Sequence, residues 1–186
     1  MPFWTRKVPP TAELSDETLE NYLALLRSKG WTIAATSGAV ELTDEGFRRR
    51  YPRVPEQYLK FLSRVASCVN ADETVWFLCA AEYNGTSDSE WAWNEFEKQD
   101  LEGAGDDQEW RTETTSFWDN HLPFLYSVGG EYAHRSFRVS GPKFGSVVDG
   151  YEELTAVSDF AESFADFMRL HSDEVNEKPK TLPDFV

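Results

Sequence analysis

Residues 117–148, FWDNHLPFLYSVGGEYAHRSFRVSGPKFGSVV, decide the fold. Leu122–Val128 is rich in aromatic and branched residues, and Gly129-Gly130 breaks the run. Residues 132–139 form a second run, Gly141-Pro142 turns the chain, and residues 145–149 form a third. Paired glycines between two apolar runs signal a hairpin, because both tolerate positive φ at little steric cost. The stretch therefore predicts three consecutive strands. In the second, Tyr132, His134, Ser136 and Arg138 share one face, and Ala133, Arg135, Phe137 and Val139 the other. Neither face is plainly apolar, so the pattern does not say which one points inward.

Upstream, Ser15 opens a helix whose Leu19, Tyr22, Leu23 and Leu26 fall on one stripe, with Leu14 as staple and Gly30 as stop. Residues 31–36 and 40–42, around Ser37-Gly38, predict a small hairpin. Thr43 caps a short helix through Arg50, which Pro52 must end. Pro55 starts the next helix, with Tyr58, Leu59, Leu62 and Val65 in a stripe and Phe61 beside it. Val75–Ala81 predicts a buried central strand, with residues 82–85 as its turn. Ser87 and Glu90 have capping-box spacing, so a helix is expected from Asp88 to about Leu101. Residues 103–107 read as a loop and 109–120 as a further helix. Downstream, Ser158 caps a final helix with Phe160, Phe164, Phe167, Met168 and His171 on its apolar side. The tail after Ser172 is polar, with Leu182 and Phe185 as its anchors.

These elements predict an α+β fold: a mixed or mainly antiparallel sheet with helices on one side. The expected organisation is a single domain over 1–186. Residues 1–42 are an N-terminal elaboration of helix plus hairpin, 43–171 the core, and 172–186 a polar tail.

The chain has 186 residues, 40% hydrophobic and 15% aromatic, enough to bury a real core. No signal-peptide pattern stands at the start, and the longest apolar run, Val75–Ala81, is too short for a bilayer. A soluble, cytoplasmic protein is expected, with Cys68 and Cys79 as buried free thiols rather than a disulfide framework or zinc site. The net charge of −15 is unevenly placed: residues 1–81 are balanced, whereas residues 82–113 carry eleven acids against Lys98 and Arg111. Such a field repels nucleic acid and anionic membrane and attracts a basic protein. The basic run Arg48-Arg49-Arg50 with Arg53 is short and reads as a solvated helix face.

Four segments, in order, resemble the SUKH superfamily, whose best-known branch is the Smi–Knr cell-wall regulators. Residues 54–62, VPEQYLKFL, look like the LPxxYxxFL helix start. Val75–Ala81 looks like the strand after it. Residues 124–139 look like the strand, glycine turn and strand. SDFAESFADF, 158–167, looks like the closing SFxxFL helix. One departure stands at residues 68–72, CVNAD, where the family usually has a glycine turn. The resemblance implies a SUKH-like scaffold that binds protein, often as an immunity protein neutralising a cognate toxin, with no catalytic residues and no cofactor.

The expected function is therefore non-enzymatic toxin neutralisation, with a toxin domain, possibly a basic nuclease, as partner. The regulatory or scaffold module of a host pathway is the alternative. Aromatic anchors ringed by carboxylates suit such a surface. The candidates are Trp91, Trp93 and Trp110 with Glu90, Glu95, Asp106, Asp107 and Glu109. A metal-dependent or acid–base hydrolase would rest on Asp119, His121, Glu131, His134 and Ser136. Their spacing matches no catalytic or metal motif, and no metal is expected.

Overall fold

The computed structural model describes residues 13–151, 153–177 and 185. In chain order the elements are α1 (Asp16–Ser28), β1 (Thr32–Ala35), α2 (Glu45–Arg50), α3 (Glu56–Leu62), β2 (Val65–Val69) and β3 (Val75–Phe77). Then come α4 (Ala80–Tyr83), α5 (Glu95–Ala104), α6 (Gln108–Asn120), β4 (His121–Ser127), β5 (Ala133–Arg138), β6 (Val147–Gly150), β7 (Val157–Ala161) and α7 (Phe164–Glu177). The strands lie in sequence order, each antiparallel to the next, so the fold is α+β around a seven-stranded meander.

The helices are not confined to one side. Phe137 meets Tyr58 of α3 and Phe164 of α7, and Arg135 meets Glu174 of α7. Their neighbour His134 instead meets Phe96 of α5 and Phe117 and Trp118 of α6. Thus α3 and α7 cover one face and α5 and α6 the other. Both faces of β5 are inside, which is why its sequence shows no division into inner and outer faces. The first face holds the aromatic core: Phe124 stacks on Phe137 at 4.2 Å and meets Tyr58, Phe164 and Phe167. Each such ring buries apolar area worth about 2 kcal/mol. Tyr58 and Tyr83 enter the core because their hydroxyls donate to the backbone oxygens of Leu78 and Pro123.

Several expectations need correction. β1 pairs with β2, and residues 40–42 are not a strand, so the predicted N-terminal hairpin does not form. The short helix is capped by Asp44, whose carboxylate accepts from Phe47 N–H, rather than by Thr43. α3 ends at Leu62 and Val65 begins β2, leaving Leu59 exposed. Val75–Ala81 is a strand only to Phe77, interior to the sheet between β2 and β4 as expected, and Ala80 begins a helical turn. Ser158 lies in β7, and the last helix starts at Phe164, where the Ser163 hydroxyl accepts from Asp166 N–H. α7 continues past Ser172 to Glu177, and Phe185 is buried against the core; Leu182 lies outside the described residues.

The helix expected from Asp88 starts seven residues late, at Glu95. Ser87 Oγ accepts from Ser89 N–H, and Ser89 Oγ accepts from Trp91 N–H. These local bonds satisfy the backbone without a helix. Ser87 also donates its hydroxyl to Glu82, and Trp93 O accepts from Tyr126 OH. The segment is held against the second face as successive turns ahead of α5. The glycine-free turn at 68–72 is closed by Asn70, whose Oδ1 accepts from Thr74 and Val75 N–H, while Glu73 takes φ +58°.

Candidate functional site

On the second face, Trp76, Tyr126 and His134 sit side by side across β3, β4 and β5. Residues 89–94 cross over them. Trp91 is thereby set edge-on to Trp76 at 5.5 Å, Phe96 at 5.9 Å and Tyr132 at 5.7 Å. Phe96 is buried, Trp76 and Trp91 are half-buried, and Tyr132 is 40% exposed. The result is a ridge, Trp76–Trp91–Tyr132, standing on a buried aromatic base. The sheet beyond it is bare, with Thr32, Ala34 and Ser67 exposed on the same face.

A recess flanks the ridge on each side. One, about 270 Å³, is lined by Val69, Glu73, Trp76, Glu82, Trp91 and Val128 among others. The other, about 430 Å³, is lined by Gln99, Asp100, Glu131, Tyr132, Glu153 and Leu154 among others. Glu73, Glu131 and Glu153 are exposed and have no cationic partner among the described residues. Glu73 and Glu153, one in each recess, are the non-glycine residues with positive φ among those described, at +58° and +65°. Such backbone costs of order 1 kcal/mol each and collects at functional surfaces. Burial raises the Asp100 carboxyl above its ordinary pKa. The Trp118 indole N–H lies near enough to offset part of this without completing a hydrogen bond.

The eight predicted residues are divided among three places. Trp91 is the centre of the ridge, with Glu90 exposed beside it. Trp93 turns inward against Phe47 and Tyr51, so it is largely spent on the core, and Glu95 is half-buried and paired with Lys98. Asp106, Asp107, Glu109 and Trp110 lie at the α5–α6 turn. There Asp107 caps α6, accepting from Glu109 and Trp110 N–H, and the 44% exposed Trp110 lies over Gly103. The reading missed Trp76, Tyr132, Glu73 and Glu153 as surface residues. Trp76 was discoverable from the alternation of Val75, Trp76 and Phe77, which sets the indole opposite its neighbours.

The hydrolase candidates do not converge on a recess. Asp119 pairs with Arg50 Nε at 2.8 Å, and Arg50 grips Glu97 with both terminal nitrogens, so Arg50 is no part of a solvated basic face. His134 is fully buried. Its Nε2–H donates to Leu154 O at 2.8 Å, which leaves Nδ1 to accept the Ser136 hydroxyl at 2.7 Å. This serine–histidine pair has no route to solvent, and burial pushes the His134 pKa down to about 4. His121 stacks on Phe117, bonds its carbonyl, and is likewise lowered by burial. Glu131 is on the surface, far from such burial. Among the described residues no group of three or more His, Cys, Asp or Glu is placed to hold a metal ion. Cys68 and Cys79 are free and buried, and burial raises both thiol pKa values. Among the described residues no helix is long and apolar enough to cross a membrane. No family model, curated protein or solved structure matches the chain.

Proposed function

We propose that this chain is a non-enzymatic protein-binding domain of the SUKH kind, an immunity-type protein that neutralises a cognate bacterial toxin by direct contact in the cytoplasm. The observation that carries the reading is the Trp76–Trp91–Tyr132 ridge between two recesses rimmed by the unpaired Glu73, Glu131 and Glu153. Half-exposed indoles supply large, rigid anchors. Carboxylates without counter-ions draw in a basic partner and raise its encounter rate. A lysine or arginine of that partner meets a ring face and a carboxylate at once. The toxin as partner rests on the sequence resemblance; the basic chemistry of the partner rests on the ridge.

The test is co-expression with the polypeptide encoded by the neighbouring gene, where an immunity protein would have its toxin. The expected result is growth restored by the wild-type chain and lost with Glu73→Lys/Glu131→Lys/Glu153→Lys. All three positions are exposed, so folding is retained. Failure of the wild-type chain to restore growth contradicts neutralisation and favours the regulatory module. Full rescue by the triple variant moves the contact off this ridge.

A further inference from the structure

A second concave surface lies at α2 and α3 and shares no lining residue with the ridge. Its apolar part is a recess of about 310 Å³ lined by Val40, Leu42, Val54 and Leu59 among others. Leu59 is 41% exposed although it stands in a helix whose Tyr58, Phe61 and Leu62 are fully buried. An adjoining recess of about 490 Å³ carries Arg48 and Arg49, and Tyr51 and Pro52 line both.

The two arginines are anomalous in a chain of net charge −15. Arg50, next in sequence, is drawn inward by Glu97 and Asp119, and Arg53 lies over the Phe144 ring at 4.2 Å. Arg48 and Arg49 are exposed and have no ion-pair partner among the described residues. Glu45 lines the same recess, three and four residues upstream, yet pairs with neither. An apolar trough ending in two guanidinium groups without an ion-pair partner among the described residues is complementary to an apolar side chain followed by a carboxylate.

We propose that this groove docks an acidic amphipathic peptide segment of a partner protein. Its apolar side chains seat over Val40, Leu42, Val54 and Leu59, and its carboxylate is taken by Arg48 and Arg49, whose planar forks match that group. Nucleic acid is disfavoured, because Phe47 and Tyr51, the aromatic residues of the recess, are buried and offer no open ring face to a stacking base, and the chain's charge repels a polyanion. The inference stands apart from the ridge: it concerns opposite charge and different elements.

The experiment selects random dodecapeptides displayed on phage against the immobilised full chain. The expected consensus pairs Leu, Ile, Val or Phe with Asp or Glu. Binding of the selected peptide should weaken about ten-fold or more in Arg48→Glu/Arg49→Glu. It should also weaken in Leu59→Asp and be unchanged in Glu73→Lys/Glu131→Lys. No enrichment, a basic consensus, or indifference to the arginine reversal overturns the proposal. Binding of a single-stranded oligonucleotide with the same arginine dependence assigns the groove to nucleic acid and also overturns it. So does a rise in mass of the free chain with concentration that Arg48→Glu/Arg49→Glu abolishes, since the occupant is then a second copy.

Discussion

Lowering the pH from 7.5 to 5 should destabilise this protein steeply, through histidines that are buried neutral. His171 is fully buried, its Nε2–H donates to Phe185 O at 2.6 Å, and its Nδ1 accepts the Tyr22 hydroxyl at 2.6 Å. A second proton on the ring would have to sit on Nδ1 and break the hydrogen bond accepted from Tyr22. Burial, with the Arg135 charge nearby, pushes its pKa down to about 3, and burial, with His121 nearby, takes His134 to about 4. Both values lie below the ordinary 6.5 of the unfolded chain, so between pH 6.5 and 4 the unfolded state binds more protons than the folded one. Stability is therefore fully present above pH 6.5 and falls as the pH drops. One pH unit is worth about 1.4 kcal/mol per group, so the two histidines together remove about 2 to 3 kcal/mol per unit below pH 6. His121, also lowered, adds in the same direction. The raised carboxyl of Asp100 and relief of the net negative charge oppose the loss. Against an ordinary total of about 5 to 15 kcal/mol, the fall is large. Urea unfolding followed by tryptophan fluorescence measures it. In His171→Asn the absolute stability drops, but its slope against pH should shrink by about half, because one of the two main protons is gone. A midpoint that stays flat from pH 7.5 to 5, or an unchanged slope in the variant, would show that these histidines do not resist protonation in the folded state.

Three further outcomes follow from the same core. A Cβ at Gly150 would stand 2.3 Å from His134 Nε2, and that ring is fixed by Leu154 O and Ser136, so Gly150→Ala should cost about 3 kcal/mol in urea unfolding. Arg135, 1% exposed, is held by Asp149 and Glu174 and capped by the rings of Phe160 and Phe185 at 3.7 and 4.3 Å. Arg135→Met should cost about 3 kcal/mol by stranding Asp149, and Arg135→Met/Asp149→Leu/Glu174→Leu should recover most of it, as thermal unfolding of both variants would show. Phe185→Ala removes the ring beside Arg135 and loosens the carbonyl that His171 holds. A loss of about 3 kcal/mol is expected by urea unfolding, whereas a neutral result would detach the tail from the core.

The sequence was most legible where local chemistry acts alone. Ser15 does cap α1, accepting from Thr18 N–H, and Gly30 does stop it at φ +91°. The three strands around Gly129-Gly130 and Gly141-Pro142 form in the expected order. Reading failed where side chains compete for backbone or where partners are distant. Ser87 and Glu90 matched a capping pattern, yet the hydroxyls of Ser87 and Ser89 close successive turns, a choice fixed by Glu82 and by Tyr126 reaching Trp93 O. β7 was hidden because Ser158-Asp159 resembles a cap, while β6 offers it a ladder that sequence cannot show. The candidate site was half legible. The acidic, tryptophan-rich stretch is plain in composition, but Trp93 and Trp91 are two residues apart and only the fold sends one inward and the other onto the ridge. Glu73 and Glu153 join the site through positive-φ turns, which no residue type announced.

Whether the ridge binds a basic toxin domain is decided by capture of that protein from source-cell lysate at low and high salt. The wild-type chain, Trp91→Ala and Glu73→Lys/Glu131→Lys/Glu153→Lys serve as baits, with bound proteins identified by mass spectrometry. The account predicts one basic toxin-domain polypeptide on the wild-type bait, weakened by salt and lost from both variants. A housekeeping protein in place of any toxin domain on the wild-type bait, or a toxin retained equally by all three baits, contradicts it.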